Sequence, residues 1–307
     1  MKKEFLRMIE IAKVNGPKRM TVACPYHSSS ILSSILAQKE GLAEPIFIGD
    51  RNIIENIASE NDIDISEFEL IDIKDDQEAC DMSVKLVTEG KADFIMKGLV
   101  DTSKILKSYL KPEYNMRTDK LLSHVAIFIP ETYYKILFVT DASMNIAPTL
   151  DQKRQIIDNA VEVARKIGVE IPKVACLAAI EKVNPKMKET VEARALQEMN
   201  EEGIIKNCLV AGPLALDNAI YEKAAKIKNI SHPVAGHADI LMVPNIEIGN
   251  ILYKAFAFCS KAKHAGVIVG GKTPVVLTSR SDDENGKFNS IAFAKYLIET
   301  GDGYNKL

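Results

Sequence analysis

Short apolar, β-branched runs alternate along almost the whole chain with longer stretches whose apolar positions recur every three or four residues. RMTVAC (19–24) precedes a helical pattern over 29–40, and PIFIG (45–49) precedes a second helix. FELIDI (68–73) precedes a helix over 75–89, and ADFIM (92–96) leads into TSKILKSYL. Such a strand-then-helix rhythm predicts parallel strands covered on both faces. KPEYNMRT (111–118) interrupts it with Pro, Asn and Arg. Then SHVAIFIP (123–130) and KILFVT (135–140) stand close enough for an antiparallel step. Helices over 150–167, 186–201, 216–228 and 247–262 follow, alternating with KVACLAAI (173–180), NCLVAG (207–212), ADILMV (238–243) and AGVIVG (265–270). PVVLT (274–278) and a helix over 285–299 close the chain. The expectation is an α/β protein of two parallel-sheet α/β/α lobes. Residues 1–114 with 275–307 form a discontinuous first domain. Residues 115–274 form a second, inserted domain, with a cleft between the two.

Composition narrows the function. Lys+Arg 39 against Asp+Glu 42 leaves a net charge of -3, which gives neither nucleic acid nor an anionic membrane an electrostatic hold. No apolar run reaches the ~18 residues that a bilayer demands. The opening MKKEFLRMIEIAKVNG carries Glu4 and Glu10 and spaces its apolar residues helically, so it reads as an amphipathic helix instead of a signal peptide. Five scattered cysteines without C-x-x-C pairs fit reduced thiols in a cytoplasmic protein. The five histidines show no ligand spacing, and no metal is expected. The glycines of AGVIVGGKTP do not form a dinucleotide fingerprint, and no Walker A, H-E-x-x-H or G-x-S-x-G motif occurs.

Candidate chemistry gathers at strand ends. PVVLT runs into Ser279-Arg280, then Asp282, Asp283 and Glu284. A hydroxyl and a guanidinium at the C-terminal end of a buried strand lie where open α/β sheets bind ligands, and the guanidinium fork suits phosphate. The acids offer a general base. In MKGLVDTSK (96–104), Gly98 permits a close turn, Asp101, Thr102 or Ser103 caps a helix, and Lys97 and Lys104 add charge for an anion; a plain capped helix explains the same residues. Asp141 and Asn145 in VTDASMNIAP are polar groups where a cleft is expected, but a plain strand-to-helix loop with an Asx turn is the favoured reading of that segment by itself. Asp217 in GPLALDNA starts a helix. Asn250, Tyr253 and Lys254 lie within one helical turn and share a face, whether for a ligand or for packing. Cys24 beside His27 reads as a buried small hydrophobe before Pro25.

Seven segments in order carry a resemblance: KGLV (97–100) with Thr102, RTDKLLSHV (117–125), TDASMNIAP (140–148), GPLALDNA (212–219), ADILMVP (238–244), GNILYK (249–254) and PVVLTSR (274–280). Together they resemble the phosphate acetyl/butyryltransferase family, most closely its butyryltransferase branch, over about residues 90–300. The resemblance implies a fold of the isocitrate/isopropylmalate dehydrogenase type with its active site in the interlobe cleft. It also implies the reaction acyl-CoA + phosphate ⇌ acyl phosphate + CoA on butyryl or branched short-chain groups. Coenzyme A is then a substrate, no cofactor is needed, and the assembly is a homodimer or larger. Ser279 and Arg280 fall at the thiol and phosphate site, and a downstream carboxylate is the base. In the acetyl branch that Asp corresponds to Gly286 here, so Asp282 takes the role, with Asp283 and Glu284 left open. An Arg of the acetyl branch is replaced by Lys104, and the anion then draws on Arg117 or Lys97. The substrate-binding set is Lys97, Gly98, Thr102, Lys104, Arg117, Asp141, Asn145, Asp217, Asn250, Tyr253 and Lys254. The competing readings are a non-catalytic acyl-CoA or phosphate binder on the same scaffold and an acetyl-specific enzyme.

Overall fold

A computed structural model describes residues 2–300, with side chains from residue 5 onward, so residues 1 and 301–307 of the expected domains lie outside the described residues. The chain divides into two compact units: Leu121–His264 is one, and Lys3–Lys120 with the chain from Ala265 onward is the other.

The discontinuous unit begins with α1 (Lys2–Lys13), which buries Phe5, Met8 and Ala12. It continues through β1 (Lys18–Ala23), α2 (Ser28–Lys39), β2 (Ala43–Gly49), α3 (Arg51–Glu60), β3 (Glu69–Asp72), α4 (Asp76–Thr88), β4 (Phe94–Lys97) and α5 (Thr102–Tyr109). β1 pairs in parallel with both β2 and β4, and β2 with β3. All four residues of β4 and the last four of β1 are buried, the signature of a parallel sheet covered on both faces. Asp50 and Asp75 start α3 and α4 by accepting the N–H groups of Asn52, and of Gln77 and Glu78.

The continuous unit holds β5 (Ser123–Ile129), β6 (Leu137–Thr140), α6 (Leu150–Lys166), β7 (Lys173–Leu177), α7 (Lys188–Glu201), β8 (Leu209–Leu214), α8 (Leu216–Ile220), α9 (Glu222–Ile227), β9 (Ile240–Met242) and α10 (Ile246–Lys254). Its strand order is β5-β6-β9-β7-β8. β5 and β6 form the expected antiparallel step, and the other pairs are parallel. The helix expected over 216–228 is instead two helices. Gly236 N–H donates to Asn218 O and Ala238 N–H to Ala219 O. Those carbonyls would otherwise accept from residues 222 and 223, so the crossing loop removes two helical bonds. A side chain at Gly236 would sit 2.5 Å from Glu222 Cα. The helix expected over 247–262 keeps α geometry only to Lys254 and then widens into a π turn, Ala255–Cys259.

The chain returns to the discontinuous unit with β10 (Lys263–Val269), β11 (Val275–Val276) and α11 (Glu284–Glu299). β11 lies parallel to β4 and antiparallel to β10, giving the order β3-β2-β1-β4-β11-β10. Only two residues of PVVLT join the ladder. α11 packs on α2 and on β11, burying Ile291, Phe293 and Leu297. The fully buried Lys295 donates from Nζ to Ala12 O at 2.5 Å, tying α11 to α1. Residues 116–118 also belong here, since Lys272 N–H donates to Met116 O and Thr118 Oγ1 to Gly270 O.

Candidate active site

β4 and β11 are parallel neighbours, so the loops that leave their C-terminal ends come together. Lys97 ends β4, and Ser279 and Arg280 follow β11. Lys97 is only 4% exposed. Its Nζ donates to Gly98 O at 3.1 Å and Val100 O at 3.0 Å. Burial, then the charges of Arg280 and Lys287, pull its pKa from 10.5 down to about 8. Gly98 is fixed by space. A Cβ there would lie 2.2 Å from Cys24 O, because Gly98 and Leu99 N–H groups bond to the Ala23 and Cys24 carbonyls at the end of β1.

The turn after β11 is clamped from three sides. Asp282 Oδ2 accepts Ser279 N–H at 2.8 Å, and Asp282 N–H donates to Ser279 O at 3.2 Å. From α11, Lys287 Nζ reaches Asp282 O at 2.5 Å and Ser279 O at 3.4 Å. Asp282 and Lys287 are both 3% exposed, and burial lowers the Lys287 pKa. Arg280, by contrast, projects outward with its side chain 61% exposed, and its Nη2 donates to Asp101 Oδ1 at 2.5 Å. Asp283 caps α11 by accepting Gly286 N–H at 2.8 Å, and Glu284 is half-buried at the first position of that helix.

The remaining expected residues of this unit are spread more widely. Thr102 opens α5 beside Asp101. Lys104 lies one turn along and is held by Asp76 at 2.8 Å, which raises its pKa. Arg117 is exposed on the segment pinned against residues 270–272. Cys24 is buried, and neighbouring Cys80 and burial raise its thiol pKa, the setting of a structural cysteine.

In the continuous unit, Asp141 and Asn145 come together, but around each other. The buried Asp141 carboxylate accepts from Ser143, Met144, Asn145 and His124 N–H groups and from Asn145 Nδ2. Asn145 Nδ2 also bonds Leu122 O. This pair knits the loop after β6. α10 starts directly against it, since a Cβ on Gly249 would lie 2.6 Å from Asp141 O. Asn250 is half-buried and Lys254 exposed. Tyr253 turns inward, its ring meeting Phe128 at 5.2 Å and His264 at 5.6 Å edge-on. Asp217 is exposed on α8, 3.7 Å from Lys228.

Sequence reasoning passed over Lys287 and the Asp101 carboxylate as a partner. A lysine within the otherwise apolar face of α11 was the available signal for the first.

The model of the phosphate acetyl/butaryl transferase family matches residues 77–295. The chain belongs to that family. It is 43% identical to the phosphate butyryltransferase of Clostridium acetobutylicum over 294 residues, covering 96% of this chain and 98% of that one. It is 44% identical to the phosphate acetyltransferase of Thermotoga maritima, covering 94% and 97%. Among solved structures it is similar to a branched-chain phosphotransacylase from Enterococcus faecalis V583, with 36% identity, TM-score 0.79, and coverage of 92% and 99%. A 4-hydroxythreonine-4-phosphate dehydrogenase from Klebsiella pneumoniae, 12% identical over 91% of this chain and 98% of that one, shares the fold at TM-score 0.55, and so ties the family to a dehydrogenase-like α/β scaffold. Among the described residues no cluster of three or more His, Cys, Asp or Glu could hold a metal ion, and no helix is long and apolar enough to cross a membrane.

Proposed function

We propose that the protein is a phosphate acyltransferase that interconverts acyl-CoA and phosphate with acyl phosphate and CoA, on butyryl or branched short-chain groups. Family membership supports the reaction, and the names of the relatives support the acyl class. The observation that carries it is the convergence of Lys97, Lys287 and an outward Arg280 at the ends of β4 and β11, a cationic setting suited to phosphate. The proposal includes a cytoplasmic homo-oligomer with no cofactor beyond CoA as a substrate.

In the direction of acyl-CoA formation, a carboxylate takes the CoA thiol proton. The thiolate attacks the acyl phosphate carbonyl, the C–O bond to phosphate breaks, and phosphate leaves. A CoA thiol has a pKa near 8.5, like free Cys, so a neighbouring guanidinium favours the thiolate. Arg280 and Ser279 also meet the charge that builds on the carbonyl or phosphoryl oxygens. Direct transfer in a ternary complex then rests on positioning. The base is assigned to the acid run 282–284, with Asp282 first. Thr102, Lys104, Arg117, Asn145, Asp217, Asn250 and Lys254 remain proposed contacts. Asp141 and Tyr253 act by holding the loop and the core behind it.

The test is phosphate-dependent CoA release from acetyl-, propionyl-, butyryl-, isobutyryl- and valeryl-CoA. Butyryl or isobutyryl-CoA should lead. Single methylenes separate these substrates by only about 1–3 kcal/mol, so the panel reads ratios. Release from none of them sinks the proposal. Arg280→Ala should lose about 10²–10³ in kcat with the fold intact. A near wild-type kcat removes Arg280 from the chemistry.

A further inference from the structure

Asp101 stands at the N-cap of α5 with extended backbone (φ -63°, ψ 133°), yet its side chain makes no cap bond. Asp50, Asp75, Thr149, Asn245 and Asp283, at the same position of other helices, all accept a first-turn N–H. The Asp101 carboxylate has turned to Arg280 instead, at 2.5 Å. Both side chains are largely exposed, 66% and 61%, so no buried geometry compels the contact. It forms where the charges of Arg280 and Lys287 both bear on buried Lys97, and Asp101 opposes them. A carboxylate oxygen meets a guanidinium much as a phosphate oxygen does.

We infer that Asp101 is a resident competitor of phosphate: it holds the Arg280 guanidinium in the unliganded protein and yields it to a phosphate or acyl phosphate oxygen, and so sets the phosphate affinity of the site. The inference rests on the acyltransferase reading, which makes phosphate the ligand of Arg280. Displacement is cheap for two reasons. The pair is exposed and joined through one Nη, the weak kind of ion pair. The released carboxylate also stands where it can cap the first turn of α5. A cation cluster without this anion would bind phosphate more tightly in the ground state, which lowers KM without helping the chemical step. Asp101 is therefore a positioning and affinity-setting residue that acts through Arg280.

The experiment compares the wild-type protein with Asp101→Asn and Asp101→Ser, the latter able to cap α5 and so guarding against a folding artefact. Removing the carboxylate should lower the KM for phosphate by about two- to fivefold, the span expected of an exposed ion pair. The KM for acyl-CoA should move by less than half that factor, and Asp101→Glu should restore the wild-type phosphate KM. Calorimetric titration of the same proteins with inorganic phosphate should give the same ordering of affinities. An unchanged or raised phosphate KM in both Asn and Ser variants overturns the inference, as does equal phosphate affinity by calorimetry. If no acyl-CoA is turned over, the acyltransferase reading fails by itself, and the calorimetric ordering still decides the competition. Absence of measurable phosphate binding in every variant also overturns it.

Discussion

Lys97→Met should make the protein more stable near neutral pH and a poorer binder of phosphate. At pH 7 the folded chain keeps a buried ammonium charged beside Arg280 and Lys287, and its pKa falls from 10.5 to about 8. At 1.36 kcal/mol per pH unit, that depression is a cost of about 3 kcal/mol. Against it stand two hydrogen bonds to the Gly98 and Val100 carbonyls, worth about 1 kcal/mol each. Methionine keeps most of the volume, so the variant gains about 1 kcal/mol at pH 7. The pH dependence is the sharper signature. Between the folded pKa of about 8 and the unfolded 10.5, the unfolded wild type binds more protons than the folded one, so wild-type stability rises with pH through that window. The variant lacks this rise. Its advantage should shrink above pH 8 and reverse to a deficit of about 2 kcal/mol by pH 10.5. Urea unfolding of both proteins at pH 7, 8.5 and 10, in phosphate-free buffer so that no anion restores the charge, measures this. A stability difference that stays flat across the window refutes the reasoning.

Two further outcomes follow from the same loops. Gly98→Ala drives a Cβ to within 2.2 Å of the Cys24 carbonyl, which is backbone and cannot swing aside, so stability should fall by about 3 kcal/mol and turnover with it; a wild-type melting temperature contradicts the close crossing. Asp282→Asn and Glu284→Gln separate holding from proton transfer. Whichever variant loses the acidic limb of the pH–rate profile, with about 10²–10⁴ in kcat, carries the base, and retention of the limb in both removes those two carboxylates from the role.

The periodicity of the chain was enough to read the strand-and-helix order, because each parallel strand is a continuous buried run and each covering helix shows its own apolar stripe. The segments at strand ends were legible for the same reason: Lys97 ends β4 and Arg280 follows β11, and parallel pairing makes their loops neighbours. What periodicity does not carry is which way a side chain turns once it is there. Tyr253 lies within one turn of Asn250 and Lys254, but it packs against Phe128 and His264 in the core. Asp141 has the polar character of a ligand contact, but spends its oxygens on the amides of its own loop. The break between α8 and α9 was invisible because its cause is non-local: carbonyls of 218 and 219 are taken by amides some eighteen residues further on.

β11 is the last strand among the described residues and yet lies inside its sheet, between β4 and β10. During synthesis the first 120 residues therefore wait with one flank of β4 unpaired, a sticky template for foreign strands, until more than 150 further residues have been made. The insertion that closes this gap also delivers Ser279 and Arg280. A nascent chain that stops short of β11 thus keeps an open seam at β4 and lacks the Ser279–Arg280 turn on which the proposed chemistry rests, so such fragments are conspicuous to quality control.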